Sequence, residues 1–407
     1  MILMQQNFKD ISFLFPNTLD IERFKSLSAS QPFSDEVVSF LHALSKEITK
    51  DSQIKNFPDV ATLAFFCRKA NILQIKKRYE NEDTIRFGRG IVFHVAPSNV
   101  PVNFAYSLLC GILSGNINII RVPSKNFEQV NIICKAITTL SHNVAFQNIT
   151  DKITLVRYDK NSQATSFFSS FCDVRVIWGG DETIAQIRKS MVPARSFDVT
   201  FADRYSICII NAPEYLSELN PGQVALGFYN DTYLFDQNAC TAPHLVSWFG
   251  NKEDVEKAKT IFWEELYKII IQKYGTVQSV IAVDKLTALY TCAINSIGTH
   301  QIATKDNLLW RVELESLTSG LDEYRCSSGY FLEYHAHSLP ELAQIVNRKY
   351  QTLAYYGFNK NELSKFVINA NLSGIDRIVP IGQTTDFSVI WDGFDLIRTL
   401  SRCIQII

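Results

Sequence analysis

The sequence predicts an α/β fold built on mostly parallel sheets. Two observations support this prediction. From residue 91 onwards, short apolar runs alternate with longer amphipathic stretches, as strands and helices do in β-α-β units. The apolar runs also lack polar alternation, which is typical of strands covered by helices on both faces. The predicted strands are residues 91–96, 117–122, 153–157, 174–178 and 205–210.

The pattern divides the chain into four predicted segments, which are residues 1–85, 86–235, 236–375 and 376–407. The first is predicted to be helical, because apolar residues recur at helical spacing in 37–44 and 60–75. The second holds the strand–helix alternation. The third is a second α/β segment with helices predicted at 252–274 and 339–351, and the fourth contains short apolar stretches.

The composition is that of a soluble globular protein. The 407 residues include 40 basic and 41 acidic side chains, for a formal net charge of -1. Because there is no basic excess, nucleic-acid binding is not expected. Hydrophobic residues make up 46% of the chain and charged residues 20%, which is ordinary for a globular core. No run reaches the roughly 18 uncharged apolar residues that a transmembrane segment needs.

Nine cysteines are scattered along the chain, at Cys67, Cys110, Cys134, Cys172, Cys208, Cys240, Cys292, Cys326 and Cys403. Their odd number and the lack of C-x-x-C spacing argue against a disulfide framework and against a zinc site. Residues 1–16 lack the basic region and the continuous apolar core of a signal peptide. We therefore expect a cytoplasmic protein that binds no metal.

Three turns follow predicted strands at the edge where parallel sheets bind nucleotides. They contain Pro97, Ser98 and Asn99; Ser124 and Lys125; and Gly179 and Gly180. The Asn99 amide is a donor suited to a developing oxyanion. The backbone at Gly179 and Gly180 would allow close approach of a pyrophosphate. Each turn also fits a purely structural role, as a proline turn, a helix cap or a tight turn.

Cys240 differs from the other cysteines because amides and small residues surround it. It precedes the apolar run 245–249, where a strand would begin, so its sulfur can face a cleft as a nucleophilic thiolate does. A buried and inert thiol is the alternative. His244 is a poor base for it, because residues i and i+4 on one strand lie about 13 Å apart.

Together these features resemble the aldehyde dehydrogenase superfamily. Its P-W-N-F-P motif is similar to residues 97–101, its A-G-N…K-P-S-E segment to residues 114–125, and its G-Q-x-C loop to residues 236–240. Within the superfamily, residues 95–101, 236–240 and 390–393 resemble the LuxC-type long-chain acyl-CoA reductases.

The resemblance runs from about residue 85 to the carboxyl terminus and implies an aldehyde dehydrogenase-like fold. Residues 86–235 would form a Rossmann-like, NADP-binding domain, and residues 236–375 would form the α/β catalytic domain with the nucleophilic cysteine. Residues 376–407 would pack back on the core, and a small oligomerisation or bridging element would join copies into a homo-oligomer.

The resemblance also implies a role for each site residue. Cys240 would accept the acyl group, and Asn99 would form the oxyanion hole together with the backbone N–H of Cys240. Glu323 would hold the nicotinamide ribose. The complete implied cofactor-binding set is Pro97, Ser98, Arg121, Ser124, Lys125, Gly179, Gly180 and Glu323.

Two departures from the superfamily pattern narrow the expected reaction. The water-activating glutamate of the E-L-G-G-K segment has no counterpart at the matching position in residues 201–205, although Asp203 is a nearby candidate. Without a base that activates water, an acyl-enzyme would resist hydrolysis until it is reduced. Lys125 replaces the glutamate of NAD enzymes, and an ammonium within about 4 Å would attract a 2′-phosphate by about 4 kcal/mol at an effective dielectric near 20. With Arg121 close by in sequence, we expect NADPH.

We therefore expect an NADPH-dependent reductase that converts long-chain acyl-CoA or acyl-protein thioesters to fatty aldehydes, as in bacterial bioluminescence. Two alternatives stay open: an NAD(P)-dependent aldehyde dehydrogenase of the same fold, and an acyl-carrying scaffold that does not reduce its cargo. The resemblance further implies an acyl-protein synthetase and an acyl-transferase as partners.

Overall fold

The structure is a computed structural model that describes residues 10–80, 84–97, 100–296 and 298–406. Its internal contacts divide the chain into two compact units. The first unit comprises Met1–Ala202 and Phe394–Ile407, and the second comprises Asp203–Gly393.

The first unit contains helices α1 to α9 and α15 with strands β1 to β7, β16 and β17. Its helices are α1 (Ile21–Ser26), α2 (Asp35–Lys50), α3 (Pro58–Phe66), α4 (Lys69–Lys76), α5 (Asn103–Leu113), α6 (Glu128–Ser141), α7 (Gln147–Thr150), α8 (Ala164–Ser169), α9 (Asp181–Arg188) and α15 (Leu396–Thr399). Its strands are β1 (Ser12–Phe15), β2 (Ile85–Gly88), β3 (Ile91–Val95), β4 (Ile117–Arg121), β5 (Ile153–Arg157), β6 (Val174–Trp178), β7 (Phe197–Phe201), β16 (Phe394–Asp395) and β17 (Ser401–Ile404).

Six of these strands form one sheet in the order β1-β5-β4-β3-β6-β7. All neighbours are parallel except β1, which runs antiparallel to β5. Every residue of β3 and of β6 is buried. This agrees with the apolar runs from which a two-sided parallel sheet was predicted.

A buried hydrogen-bond network connects the three central strands of this sheet. Asn118 on β4 donates through Nδ2 to the carbonyl oxygen of Asn116, so its Oδ1 accepts from His94 Nε2 on β3 at 3.1 Å. His94 Nδ1 then accepts from Ser107 Oγ at 2.7 Å, and this oxygen accepts from Trp178 Nε1 on β6. Burial lowers the pKa of His94 to about 4, so the ring is neutral at physiological pH. The network therefore fixes the ends of β3, β4 and β6 relative to one another.

The second unit contains helices α10 to α14 and strands β8 to β15. The helices are α10 (Ala212–Leu216), α11 (Pro221–Thr232), α12 (Lys252–Lys273), α13 (Ser279–Asn295) and α14 (Lys360–Ala370). The strands are β8 (Tyr205–Asn211), β9 (Pro243–Phe249), β10 (Thr299–Ile302), β11 (Trp310–Leu314), β12 (Tyr330–Ala336), β13 (Tyr350–Tyr356), β14 (Arg377–Pro380) and β15 (Ile390–Trp391).

Seven of these strands form a second sheet in the order β10-β11-β12-β9-β8-β13-β14. Only the edge pair β10–β11 is antiparallel. Two apolar clusters cover the sheet, one of which includes Leu245 and Leu332 and the other Val246 and Phe331. Adjacent residues on β9 and on β12 thus point to opposite faces, as the pleat requires.

The structure differs from the sequence-based expectations in three places. The helix predicted at 339–351 is wrong, because Leu339–Gln344 is a short 3-10 helix and β13 follows at Tyr350–Tyr356. Residues 1–85 contain α1 to α4 but also β1, whose partner β5 lies far away in sequence. Strand β8, which the predicted division places in the segment 86–235, pairs with β9 and β13 in the second sheet. The four-part division stays a prediction.

Candidate active site

The first unit places the predicted cofactor turns along one sheet edge. Because β4, β3 and β6 are parallel neighbours, their carboxyl ends lie together. Ser124 and Lys125 follow β4, Pro97 follows β3, and Gly179 and Gly180 follow β6. The chain runs from β3 to β4 in one direction and reaches β6 on the other side of β3. This edge therefore contains the topological switch point at which open α/β sheets bind ligands.

The residues of this edge differ in their exposure and in their contacts within the protein. Ser124 and Lys125 are exposed, and Pro97 is half-buried. The Arg121 guanidinium instead lies 4.9 Å from the Tyr158 ring centroid and donates to the Tyr158 carbonyl oxygen at 3.2 Å. The structure thus holds Arg121 against Tyr158, whereas Lys125 is exposed and has no ion pair within the described part of the chain. Ser98 and Asn99 lie outside the described residues.

Gly180 is the N-cap of α9 and has open space where a side chain would begin. Among the residues that the structure describes, no heavy atom lies within 4 Å of a Cβ placed there. At Gly179 a Cβ would come within 3.1 Å of the Thr183 side chain. Packing within the chain therefore does not require glycine at position 180. A ligand that approaches the backbone at the start of a helix does favour glycine there, because a side chain would stand in its way. The open space at Gly180 therefore fits the diphosphate of a dinucleotide at this edge.

The second unit contains a cavity of about 280 Å³ at the start of β9, and Cys240 lies in its wall. Its lining is mostly polar and consists of Asp203, Arg204, Gln237, Asn238, Ala239, Cys240, His244, Arg325, Cys326 and Ser327. Cys240 is partly exposed, whereas six of the other cysteines are buried. The expectation that Cys240 faces a cleft agrees with this geometry.

Gln237 fixes the backbone of the Cys240 loop. Its side chain is 1% exposed, and its Nε2 donates to the carbonyl oxygens of Pro243 and Tyr330 at 3.0 and 2.9 Å. Its Oε1 accepts from the backbone N–H groups of Gly329 and Tyr330, each at 3.0 Å. Both Asp236 and Gln237 adopt positive φ, at 51° and 60°. This strained turn is stabilised by an amide whose hydrogen-bonding groups are all used, and it leads directly to Cys240.

Burial dominates the electrostatics of the Cys240 thiol. The pKa is raised to about 12, because the increase from burial and from the nearby Asp392 carboxylate exceeds the decrease from a hydrogen bond with Gln351 and from the charge of Arg204. The sulfur is therefore a thiol rather than a thiolate at neutral pH in this state. Nucleophilic use requires hydrogen-bond donors or a base that favour the thiolate.

His244 lines the same cavity as Cys240. The distance of about 13 Å expected for residues i and i+4 of one strand does not hold for His244 and Cys240, because Cys240 lies in a turn and β9 begins only at Pro243. Burial lowers the pKa of His244 to about 3, and its ring stacks on Tyr205 with centroids 5.5 Å apart. An imidazole with so low a pKa is a weak general base at neutral pH.

Asp203 is the one carboxylate among the described lining residues, and it is paired. Arg325 Nη2 lies 2.5 Å from its Oδ2, and Arg325 also donates to the carbonyl oxygen of Arg204. Glu323 lies on a 3-10 helix, Leu321–Tyr324, with its side chain exposed, and it does not line the cavity. Its role toward a nicotinamide ribose stays a prediction.

Comparison with known proteins assigns the family. A sequence model described as acyl-CoA reductase (LuxC) matches residues 23–403, which is nearly the whole chain. The protein belongs to the acyl-CoA reductase (LuxC) family. It is 23% identical over 324 residues to the long-chain acyl-protein thioester reductase of Vibrio harveyi, covering 79% of this chain and 64% of that one. The corresponding reductase of Aliivibrio fischeri is also 23% identical, over 74% of this chain and 60% of its own length. This member of the LuxC family thus spans less than two thirds of these relatives.

Solved structures confirm the aldehyde dehydrogenase-like fold of this LuxC-family chain. A lactaldehyde dehydrogenase superposes with a TM-score of 0.63 at 11% identity, covering 94% of this chain and 87% of that one. The glyceraldehyde-3-phosphate dehydrogenase GapN of Methanocaldococcus jannaschii, solved with NADP, superposes with a TM-score of 0.60 at 12% identity, covering 94% and 90%. At such identities the likeness shows the fold alone.

The structure also places near Cys240 several residues that the sequence did not indicate. Arg325, Cys326 and Arg204 line the cavity, and Gln351 and Asp392 affect Cys240. Asp392 had one sequence signal, because Asp-Gly dipeptides mark tight turns and residues 390–393 carry part of the resemblance. Gln351 had none.

Within the described ranges, no helix is long and apolar enough to cross a membrane. The same residues contain no group of three or more His, Cys, Asp or Glu side chains that could hold a metal ion.

Proposed function

We propose that this protein reduces long-chain fatty acyl thioesters, carried by CoA or by a protein, to fatty aldehydes with NADPH. The observation that carries the proposal is the placement of Cys240. Four hydrogen bonds of the Gln237 side chain fix the loop that presents this thiol to a cavity. The substrate class follows the names of the relatives, which are long-chain acyl-protein thioester reductases.

In the first step, the Cys240 sulfur attacks the thioester carbonyl. The bond from the acyl carbon to Cys240 forms as the bond to the donor sulfur breaks, and the donor leaves as a thiol. The backbone N–H of Cys240 and the Asn99 amide are the proposed oxyanion donors, each worth about 3 kcal/mol in the transition state. The Asn99 contribution rests on the family resemblance.

The acyl-enzyme must then avoid hydrolysis. Asp203 is the carboxylate available near Cys240 in the described lining, and its ion pair with Arg325 keeps it from acting as a free base toward water. A bound reduced nicotinamide supplies the hydride that an acyl group needs to become an aldehyde. Pro97, Ser124, Lys125, Gly179 and Gly180 would hold that cofactor at the switch-point edge, together with Ser98, Arg121 and Glu323 from the predicted set.

NADPH is proposed over NADH because Lys125 is exposed at the end of β4 while Arg121 is engaged with Tyr158. The preference therefore depends mainly on Lys125. The acyl-protein synthetase, the acyl-transferase, the homo-oligomer and the cytoplasmic location stay predictions from the resemblance and the sequence.

The test uses the two cysteines that share the cavity. After incubation with labelled long-chain acyl-CoA and no reductant, Cys240→Ser should lose covalent acylation, and with NADPH it should lose aldehyde formation. Cys326→Ser is the matched control and should keep both, because Cys326 does not belong to the Gln237-fixed loop. Full acylation of Cys240→Ser would overturn the assignment of the nucleophile. Acylation of wild-type protein without aldehyde would instead favour an acyl-carrying scaffold.

A further inference from the structure

Strand β8 lies between β9 and β13, and its pairing with each of them is irregular beside Ser206. Strand β13 contains one extra residue there, within Gln351–Thr352. Strand β9 contains one extra residue as well, His244. A bulge interrupts the alternation of side chains and turns a residue toward a direction that regular pairing would forbid. Both bulges occur at the level of Cys240, because Ser206 is bonded to that residue.

Ser206 connects the Cys240 loop to the bulge on β13. Its Oγ donates to the carbonyl oxygen of Cys240 at 2.7 Å and accepts from the backbone N–H of Thr352 at 3.2 Å. The backbone of Cys240 is therefore held against the residue next to Gln351. On its other side, Gln237 holds the same loop against β12.

The Gln351 side chain is 1% exposed, and Asp392 sets its orientation. Its Nε2 donates to Asp392 Oδ1, while Arg204 Nη1 lies 4.0 Å from the other carboxylate oxygen. Burial raises the pKa of Asp392, but a carboxylate oxygen that accepts this bond selects the nitrogen of the Gln351 amide and not the oxygen. Gln351 Oε1 has no hydrogen-bond partner within the described chain. The orientation of this amide thus depends on Asp392.

The Gln351 amide nitrogen has a second hydrogen, and the Ser206 bridge places the residue next to Gln351 beside the Cys240 backbone. A hydrogen bond between the Gln351 side chain and the thiol lowers the pKa of Cys240, against the increase caused by burial. The charged groups that act on this thiol are Asp392, Arg204 and Arg377. Among the neighbours that lower the pKa of Cys240, Gln351 comes before Arg204 in size.

We propose that Gln351, oriented by Asp392, is a positioning residue that holds the Cys240 sulfur and donates a hydrogen bond to its thiolate. The proposal rests on the proposed role of Cys240 as the nucleophile. It gives the bulge on β13 a role, because Gln351 lies within it and a bulge turns a side chain away from the direction of regular pairing.

The experiment measures how fast iodoacetamide alkylates Cys240 in the full chain between pH 7 and pH 10, site by site by peptide mass spectrometry. Gln351→Met keeps the volume and removes the donor, so we expect alkylation at pH 8 to slow about tenfold or more and the profile to shift to higher pH. Gln351→Glu, which also lacks the donor, should slow it too and provides a second variant if the first folds poorly.

Two controls separate positioning from general damage. Cys326, in the same cavity, should keep its alkylation rate in every variant. Tyr350→Phe removes a neighbouring buried hydroxyl that has no partner among the described residues, and it should leave the Cys240 profile unchanged. Alkylation of Cys240 that is equal or faster in both Gln351 variants would overturn the proposal. Because alkylation needs no acyl donor, this failure is distinct from retained acylation in Cys240→Ser.

Discussion

Asp231 on α11 is a buried carboxylate whose protonation is coupled to folding. Its two oxygens accept from the backbone N–H groups of Gly382 and Thr384 at 2.6 and 3.0 Å. Burial raises the pKa of Asp231 to about 6 in spite of these bonds, compared with about 3.9 in an unfolded chain. The folded state therefore binds a proton more tightly than the unfolded state does.

This shift predicts a pH dependence of stability. A raised folded-state pKa contributes stability that is fully present below about pH 4 and lost as the pH rises through 6. Two pKa units correspond to about 3 kcal/mol. The free energy of unfolding of the wild type minus that of Asp231→Asn, from urea titrations, should therefore fall by up to about 3 kcal/mol between pH 4 and pH 7. A difference that rises or stays flat would contradict this, and exposed Asp181→Asn is the control.

Among the residues near the cavity, the sequence predicts Cys240 but not Gln351. Cys240 is predicted as the nucleophile because its neighbours are amides and small residues, which is a local property of the chain. Gln351 lies 111 positions away, in the irregular part of β13 that Ser206 connects to the Cys240 backbone. Bulges in parallel pairs depend on how three strands fit together, and no local pattern encodes them.

Arg175 on β6 connects three elements of the first unit. Its guanidinium makes two hydrogen bonds with Asp198 on β7, at 2.7 and 3.0 Å, and donates to the carbonyl oxygens of Ile187 and Ser190 around the end of α9. The side chain is 2% exposed. Since α9 begins at Gly180, this contact also anchors the helix of the proposed cofactor edge.

Replacement of Arg175 should therefore destabilise the fold strongly. Arg175→Met leaves a mostly buried carboxylate and two carbonyl groups without their main donor, and we expect a loss of about 3–5 kcal/mol in the free energy of unfolding. Arg188→Met is the matched control, because Arg188 contacts the same Asp198 carboxylate but is 55% exposed. It should cost about 1 kcal/mol or less. Equal losses in chemical denaturation would refute this ranking.

At the element scale, the strands that are apolar throughout were predictable, and the segment 339–351 was not. Its Leu342, Ile345 and Val346 recur at helical spacing, and all three are buried. Yet the chain makes only a 3-10 helix there before entering β13. The next residues are buried between β8 and β14, so tertiary pairing outweighs the local helical pattern.

At the scale of the whole molecule, the proposed cofactor residues and the proposed nucleophile belong to two different sheets. The switch-point edge of the first unit fits a dinucleotide, and the cavity of the second contains Cys240, the proposed acyl acceptor. Both sheets have parallel central strands that are buried along nearly their whole length, so the sequence shows the alternation of strands and helices but not which strand joins which sheet. Strand β8 demonstrates this, because it continues the rhythm of the first sheet and belongs to the second.

This division predicts that cofactor preference can be changed without touching the thiol. Lys125→Glu places a carboxylate where a 2′-phosphate would bind, so the dissociation constant for NADPH, measured by its fluorescence without acyl donor, should rise tenfold or more. Binding of NADH should not weaken, because NADH lacks that phosphate and glutamate is the residue of NAD enzymes at this position. Lys189→Glu makes the same charge change at the exposed C-cap of α9, the opposite end of that helix from Gly180, and should leave both constants unaltered. The rate of Cys240 alkylation should stay the same in Lys125→Glu, since the thiol lies in the cavity of the other unit. Tighter binding of NADH than of NADPH by the wild type would refute the assignment of Lys125 as the 2′-phosphate partner.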